Sequence, residues 1–140
     1  MSELHHRIKV FVYRFEQAAP HYLLLKPDQG IEALWGPLHD ELGFGEKLES
    51  AIRARVREQI GLDPSGRLLD LDMPGRWILG DEEIIEWTFG FQARGRFRPE
   101  LLEETFAAHR WARFQDAYSS MGLELDRQAA MRLHTRVLAA

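Results

Sequence analysis

The 140-residue chain reads as one α/β domain, an α/β/α sandwich, and three observations lead there. "RIKVFVYRF", from Arg7 to Phe15, alternates with apolar residues on both faces, so layers must cover both sides of the sheet it joins. The stretch from Lys47 to Ile60 places Leu48, Ala51, Ile52, Val56 and Ile60 at helical spacing. Strands recur on both sides of that helix, and a second amphipathic helix follows them. No internal repeat, low-complexity stretch or linker divides residues 1–140.

Taken in order, Ile8, Val10 and Val12 share one face of the first strand and Phe11, Tyr13 and Phe15 the other, which makes it central in its sheet. "QAAP" interrupts the pattern and "HYLLLK", His21 to Lys26, resumes it, so a hairpin is expected. "PDQG" ends that strand, and "ALWGPLHDELGFG" reads as a loop punctuated by Gly and Pro. The helix of residues 47–60 has one apolar and one charged stripe, stops at Gly61, and is followed by a turn at "DPSG". "RLLDLDM" and "RWIL" are short strands, and "EEIIEWTFGFQA" is a longer one with Ile85, Trp87, Phe89 and Phe91 on one face. "RGRFRPELLEE" is a polar connection with a helical turn after Pro99, "AHRWARF" a further strand, and "FQDAYSSM" one or two helical turns. The last helix is expected to take Asp126 as its N-cap and to bury Ala130, Leu133 and Val137.

A composition 45% apolar and 29% charged is that of a globular domain able to bury a core, and the net charge of -4 gives no global electrostatic reason to bind nucleic acid or an anionic membrane. There is no cysteine, so metal could be held only by carboxylate, imidazole, amide or backbone oxygen. "MSELHHRIKV" lacks a cationic segment followed by an apolar run, and no stretch is apolar enough for a membrane span. A cytoplasmic protein is expected.

From Trp35 to Leu62 the chain resembles, without a gap, the Nudix box of MutT-like pyrophosphohydrolases: Gly, five residues, Glu, seven residues, Arg-Glu, an aliphatic residue, any residue, Glu-Glu, any residue, Gly, aliphatic. Glu46, Val56, Glu58, Gly61 and Leu62 match. Asp40 replaces the glycine, Ala54 and Arg55 replace Arg-Glu, and Gln59 replaces the second glutamate of the pair, so the box, about residues 40–62, is degenerate. Outside it, "HYLLLK", Trp35, "WTFGFQA" and "HRWARFQDA" before a terminal helix are similar to the branch containing dATP and dihydroneopterin triphosphate pyrophosphohydrolases. The resemblance implies the Nudix fold, an α/β/α sandwich with a mixed β-sheet, and a scaffold that hydrolyses a nucleoside diphosphate linked to another group.

In the family, box carboxylates on one helical face hold Mg²⁺ or Mn²⁺, which neutralises a diphosphate and orients water. Positions 55, 58 and 59 have the spacing to share a face. Three carboxylates there would carry a formal charge of -3, whereas Arg55, Glu58 and Gln59 sum to zero, which removes most of the attraction for a divalent cation. His39 and Asp40 stand where relatives have two glycines, so the loop is expected to take another shape. Ala54 removes the family's bracing arginine, so Glu46 is expected to have lost a partner.

Three readings stay open. In one, hydrolysis is weak, altered or lost, and Arg55, Gln59, His39 and Asp40 bind a phosphate-containing, nucleotide-like small molecule, the guanidinium acting where relatives use metal. In another, the enzyme is active with Glu58 and Glu46 on the metal and Glu104, from a later loop that also carries Glu103, as ligand or base. In the third the domain is a non-catalytic scaffold. Relatives are often dimers, so a homodimer is also open. The bland reading of Arg55 is a surface arginine paired to Glu58 or Glu49. Likewise His5 and His6 read as an exposed pair, His109 as structural, Trp35, Trp77 and Trp87 as core unless one stacks on a base, and Arg94, Arg96 and Arg98 around Phe97 as a solvated hairpin end unless they meet phosphate.

Overall fold

The computed structural model describes residues 3–27, 34–95 and 98–139. Its first strand, β1 (Glu3–Glu16), pairs along one edge with two strands in succession: β3 (Leu38–Leu42) against residues 6–10, and β2 (Ala19–Lys26) beyond. Along the other edge it runs parallel to β6 (Glu82–Gln92), from Glu3 opposite Glu82 to Tyr13 opposite Gln92. β4 (Leu68–Asp70) and β5 (Gly75–Leu79) lie antiparallel on β6, and β7 (Ala108–Arg113) antiparallel on β2. The seven-stranded sheet is therefore mixed, as expected, with β4-β6-β1-β2-β7 as its path.

Helix α1 (Leu48–Arg55) runs on into a wider π-helical turn, Val56–Ile60, and packs on one face of the sheet. Its Ile52, Val56 and Ile60 meet Ile8, Val10 and Val12 of β1 and Phe89 and Phe91 of β6 in one buried cluster. Gly61 ends the turn at φ 76°, the left-handed geometry that glycine adopts without a Cβ clash. The opposite face receives α3 (Phe114–Ser120) and α4 (Glu124–Ala139), whose Ala130, Leu133 and Val137 pack with Phe11, Tyr13, Tyr22 and Leu24. Here Gly90 lets α4 approach, since a Cβ at that position would lie 2.5 Å from Leu133. A short α2 (Pro99–Thr105) packs beside the π turn, and among the described residues no helix is long and apolar enough to cross a membrane.

Two expectations need correction. The stretch read as a loop before α1 contains a strand: Leu38–Leu42 pairs with β1, and Leu38 enters the core opposite Val10. Its charged residues hid the alternation, and the ladder to β1 supplies what local propensity lacks. Helix α4 begins at Glu124, so Asp126 lies inside its first turn, 3% exposed, and its carboxylate turns to Lys9 instead of capping the backbone. The hairpin falls where predicted, but its turn residues Gln17 and Ala18 have φ of 51° and 64°. Left-handed backbone favours Asn and Gly. Replacing Gln17-Ala18 by Asn-Gly should stabilise the protein by about 1 kcal/mol in urea unfolding, and no gain would mean the turn is not strained.

Candidate functional site

Side chains alternate along β3, so His39 and Asp40 leave it on opposite faces of the sheet. Asp40 projects to the α1 face, where four residues of the box close into one hydrogen-bonded group. Arg55 Nε donates to Asp40 Oδ2 at 2.8 Å, Arg55 Nη2 to Glu46 Oε1 at 2.9 Å, and Arg55 Nη1 to Glu46 Oε2 at 3.3 Å. The same guanidinium reaches the Glu41 carbonyl at 3.2 Å, and Gln59 Nε2 donates to Asp40 Oδ2 at 2.9 Å. Glu46 also accepts the Gly43 N–H at 2.7 Å, which fastens the loop between β3 and α1. A side chain at position 43 would obstruct this closure, because a Cβ there would sit 2.7 Å from Glu46 Oε1.

This arrangement corrects two expectations. Glu46 has a partner, Arg55, in place of the missing box arginine. Arg55 is paired to neither Glu58 nor Glu49: Glu49 holds Arg53, and Glu58 lies on the exposed side of the turn with Arg57 at 3.6 Å. The π turn explains the separation. With i→i+5 hydrogen bonds each residue rotates less than in an α-helix, so Gln59 stays near the face of Arg55 while Glu58 swings off it. Glu103 and Glu104 are exposed on α2.

The electrostatics follow from the contacts. The hydrogen bond from Arg55, then that from the Gly43 N–H, hold the Glu46 carboxyl below its usual value of 4.5, and the same Glu46 contact raises Arg55 further. Formal charge over Asp40, Glu46 and Arg55 is -1. A divalent cation needs carboxylate oxygens turned toward it, whereas the guanidinium engages Glu46 through both oxygens and Asp40 through Oδ2. This donor set does not fit Mg²⁺ or Mn²⁺ in the manner of the family's box. Among the described residues, the one group of His and acidic ligand atoms close enough to share an ion is Glu3, His5 and Glu82, at the start of β1 and β6, and it contains no box residue.

His39 projects to the α4 face and lines a pocket of about 590 Å³ that the sequence did not disclose. Trp35 and Trp77 contribute aromatic wall, Arg7 a cationic rim with the His39 imidazole beside it, and Lys9, Glu86 and Asp126 polar floor. Lys9, 9% exposed, donates to Asp126 at 2.6 Å and stands 3.1 Å from Glu86. Burial alone would lower its pKa, but Asp126 and Glu86 more than offset this, so Lys9 lies above an ordinary lysine. For His39, which is exposed at the strand but partly desolvated against its neighbours, that desolvation and the charges of Arg7 and Lys9 lower the pKa, and Nδ1 lies 3.3 Å from Arg7. The signal for this pocket was present in the sequence: a lysine between Ile8 and Val10 of a central strand requires buried counter-charges.

The other aromatic and histidine candidates resolve individually. Trp87 packs against the α1-side core and donates its indole N–H to His6 Nδ1 at 3.2 Å, so the histidine pair belongs to β1 and is half-buried. Trp35 has Lys26 at 4.8 Å and Arg110 at 5.1 Å from its ring. His109 sits in the β7 ladder opposite Leu25. Arg96 and Phe97 lie outside the described residues.

Solved structures with this architecture include the E. coli dihydroneopterin triphosphate pyrophosphohydrolase, 16% identical, TM-score 0.73, covering 94% of this chain and 95% of that one. A C. elegans Ap4A hydrolase in a binary complex is 12% identical with TM-score 0.73, covering 96% and 98%. The Nudix domain of Shewanella oneidensis NrtR, complexed with ADP ribose, is 13% identical with TM-score 0.70, covering 98% and 89%. No protein-family model matches the sequence, and no curated protein matches it significantly. The chain has the Nudix fold.

Two measurements test the charge arrangement. Lys9→Met strands two buried carboxylates without their cation and should cost about 3–5 kcal/mol in urea unfolding; a loss below 1 kcal/mol would show that Glu86 and Asp126 do not depend on it. Glu46, with its lowered pKa, stabilises the fold above about pH 4.5, and that contribution disappears as pH falls through its folded value. Carboxyl NMR titration should place Glu46 below an ordinary glutamate, and Arg55→Ala should return it upward.

Proposed function

We propose that this Nudix-fold chain binds a phosphate-containing, nucleotide-like small molecule, and that its box has lost the usual metal-dependent hydrolysis. The observation carrying this reading is the guanidinium of Arg55 placed between Asp40 and Glu46, where a fixed internal cation neutralises carboxylates that would otherwise attract Mg²⁺. Hydrolysis in the family's manner needs a cation that can also touch the diphosphate and orient water, and Arg55 already spends all of its nitrogens on protein oxygens.

Ligand binding in this reading rests on the opposite face. The 590 Å³ pocket offers tryptophan surface for a flat ring and Arg7 with His39 for an anionic group. Of the residues expected to bind ligand, His39 faces that pocket directly, while Arg55, Gln59 and Asp40 act by holding β3, from which His39 projects. The similar structures named for triphosphate and Ap4A hydrolysis, and the one complexed with ADP ribose, make a nucleotide-like ligand the first class to try.

A second reading, an active hydrolase with Glu58 and Glu46 on Mg²⁺ or Mn²⁺ and Glu104 as ligand or base, draws on one observation: α2 packs against the π turn, so the element carrying Glu104 neighbours the one carrying Glu58. Calorimetric titration with Mg²⁺ and Mn²⁺, alone and with a non-hydrolysable nucleoside triphosphate, separates the two. We expect no sub-millimolar metal binding and nucleotide binding that does not depend on metal. Sub-millimolar metal binding accompanied by phosphoanhydride hydrolysis would overturn the proposal. Arg55→Glu combined with Gln59→Glu should create divalent-cation binding at least tenfold stronger than in the parent, because it restores the formal charge of -3.

A further inference from the structure

A second cavity, of about 410 Å³, lies on the α4 face at the other end of β1 from Lys9 and Arg7. Tyr13 and Phe15 of β1 and Gln92 of β6 line it from the sheet, Arg67 and Leu69 from β4 and the residue preceding it, and Arg136 with Val137 from the last turns of α4.

Its polar groups converge without satisfying one another. Tyr13 is 2% exposed, yet its hydroxyl makes no hydrogen bond among the described residues. Burial raises the Tyr13 pKa while the charges of Arg67 and Arg94 lower it, which places two guanidinium groups within electrostatic reach of the hydroxyl. The Arg67 guanidinium has no ion pair or hydrogen bond among the described residues. Arg136 is held by the Asp70 carbonyl and by Asp72, at 3.3 Å, and it offsets the negative carbonyl end of α4, which would otherwise repel an anion here. The Tyr13 ring is buried while the residue lines the cavity, so its hydroxyl can donate to a ligand there. Phe15, 48% exposed, and the side chains of Leu69 and Val137 add apolar wall around this polar floor.

We infer that this cavity binds a small organic oxyanion, with Arg67 and the Tyr13 hydroxyl donating to the anionic head and Phe15 covering an apolar body. It is separate from the box and from the tryptophan-walled pocket, so it would serve as an additional ligand site on the same domain. A phosphate and a carboxylate head present the same acceptors to these donors, and only titration distinguishes them.

The test is NMR-monitored titration of the intact protein with phenyl phosphate, benzoate and inorganic phosphate in turn. Phenyl phosphate or benzoate should shift resonances of Tyr13, Phe15, Leu69 and Val137 in a saturable way, the stronger of the two identifying the head group, and inorganic phosphate should bind more weakly for want of an apolar body. Tyr13→Phe keeps the packing and removes only the hydroxyl, so it should weaken binding about tenfold. Arg67→Gln, at an exposed position that α4 does not cover, should weaken it at least as much. Thermal melting of both variants checks that each remains folded, and nucleotide titration at the tryptophan-walled pocket should be unchanged. No saturable shift in the cavity, or affinity unaltered by both substitutions, would overturn the inference.

Discussion

Along one edge β1 is bonded to β3 and then β2, and along the other it runs parallel to β6, so three strands take their register from it. Register in a sheet covered on both faces admits no slip, because a shift of one residue would send Ile8, Val10 and Val12 toward α4 and Lys9 and Tyr13 toward α1. The same parity passes through the ladder to β3. It sends Asp40 to the box and His39 to the tryptophan-walled pocket, so the two faces of the domain receive different chemistry from adjacent residues.

On the α1 face the outcome is a box whose frame survives with its charge inverted at one position. Like-charged carboxylates gathered on a helix need a cation, and here the chain supplies one covalently attached. A guanidinium differs from Mg²⁺ in more than charge. Its donors are fixed in a planar fork and are consumed by Asp40, Glu46 and the Glu41 carbonyl, so it braces the loop but has little capacity left for a ligand's phosphate or a water. The box of this chain thus reads as a structural clasp in the place where the family resemblance puts catalysis.

The α4 face shows how buried charge is tolerated. Lys9, Glu86 and Asp126 come from β1, β6 and α4, and a lysine among carboxylates in that setting is acceptable only because all three meet. Their meeting draws the first turn of α4 onto the sheet and shapes the floor of the larger pocket. At the far end of the same helix Arg132 and Arg136 tie α4 to the segment around Leu71 and Asp72 instead, and Tyr13 lines the cavity beside Arg67.

Much of the architecture was legible from one sequence, since strand and helix periods are local and the box retains its spacing around Glu46, Val56, Glu58 and Gly61. The layered arrangement of sheet and helices and the Gly61 stop follow from pattern alone, and the mixed sheet from the family resemblance. Formal charge also needs no coordinates: Arg55 and Gln59 sum to +1 where two glutamates would carry -2. What the tertiary structure decided was partnership. Asp40, Glu46 and Arg55 are separated by loop and helix, and a strand hidden in polar sequence brings them together. Asp126 offered itself locally as a helix cap, yet a lysine 117 residues away claimed its carboxylate. Local pattern reports which face a residue occupies, whereas a buried charge is satisfied by whichever opposite charge the fold carries to within hydrogen-bond reach, and that distance is written only in three dimensions.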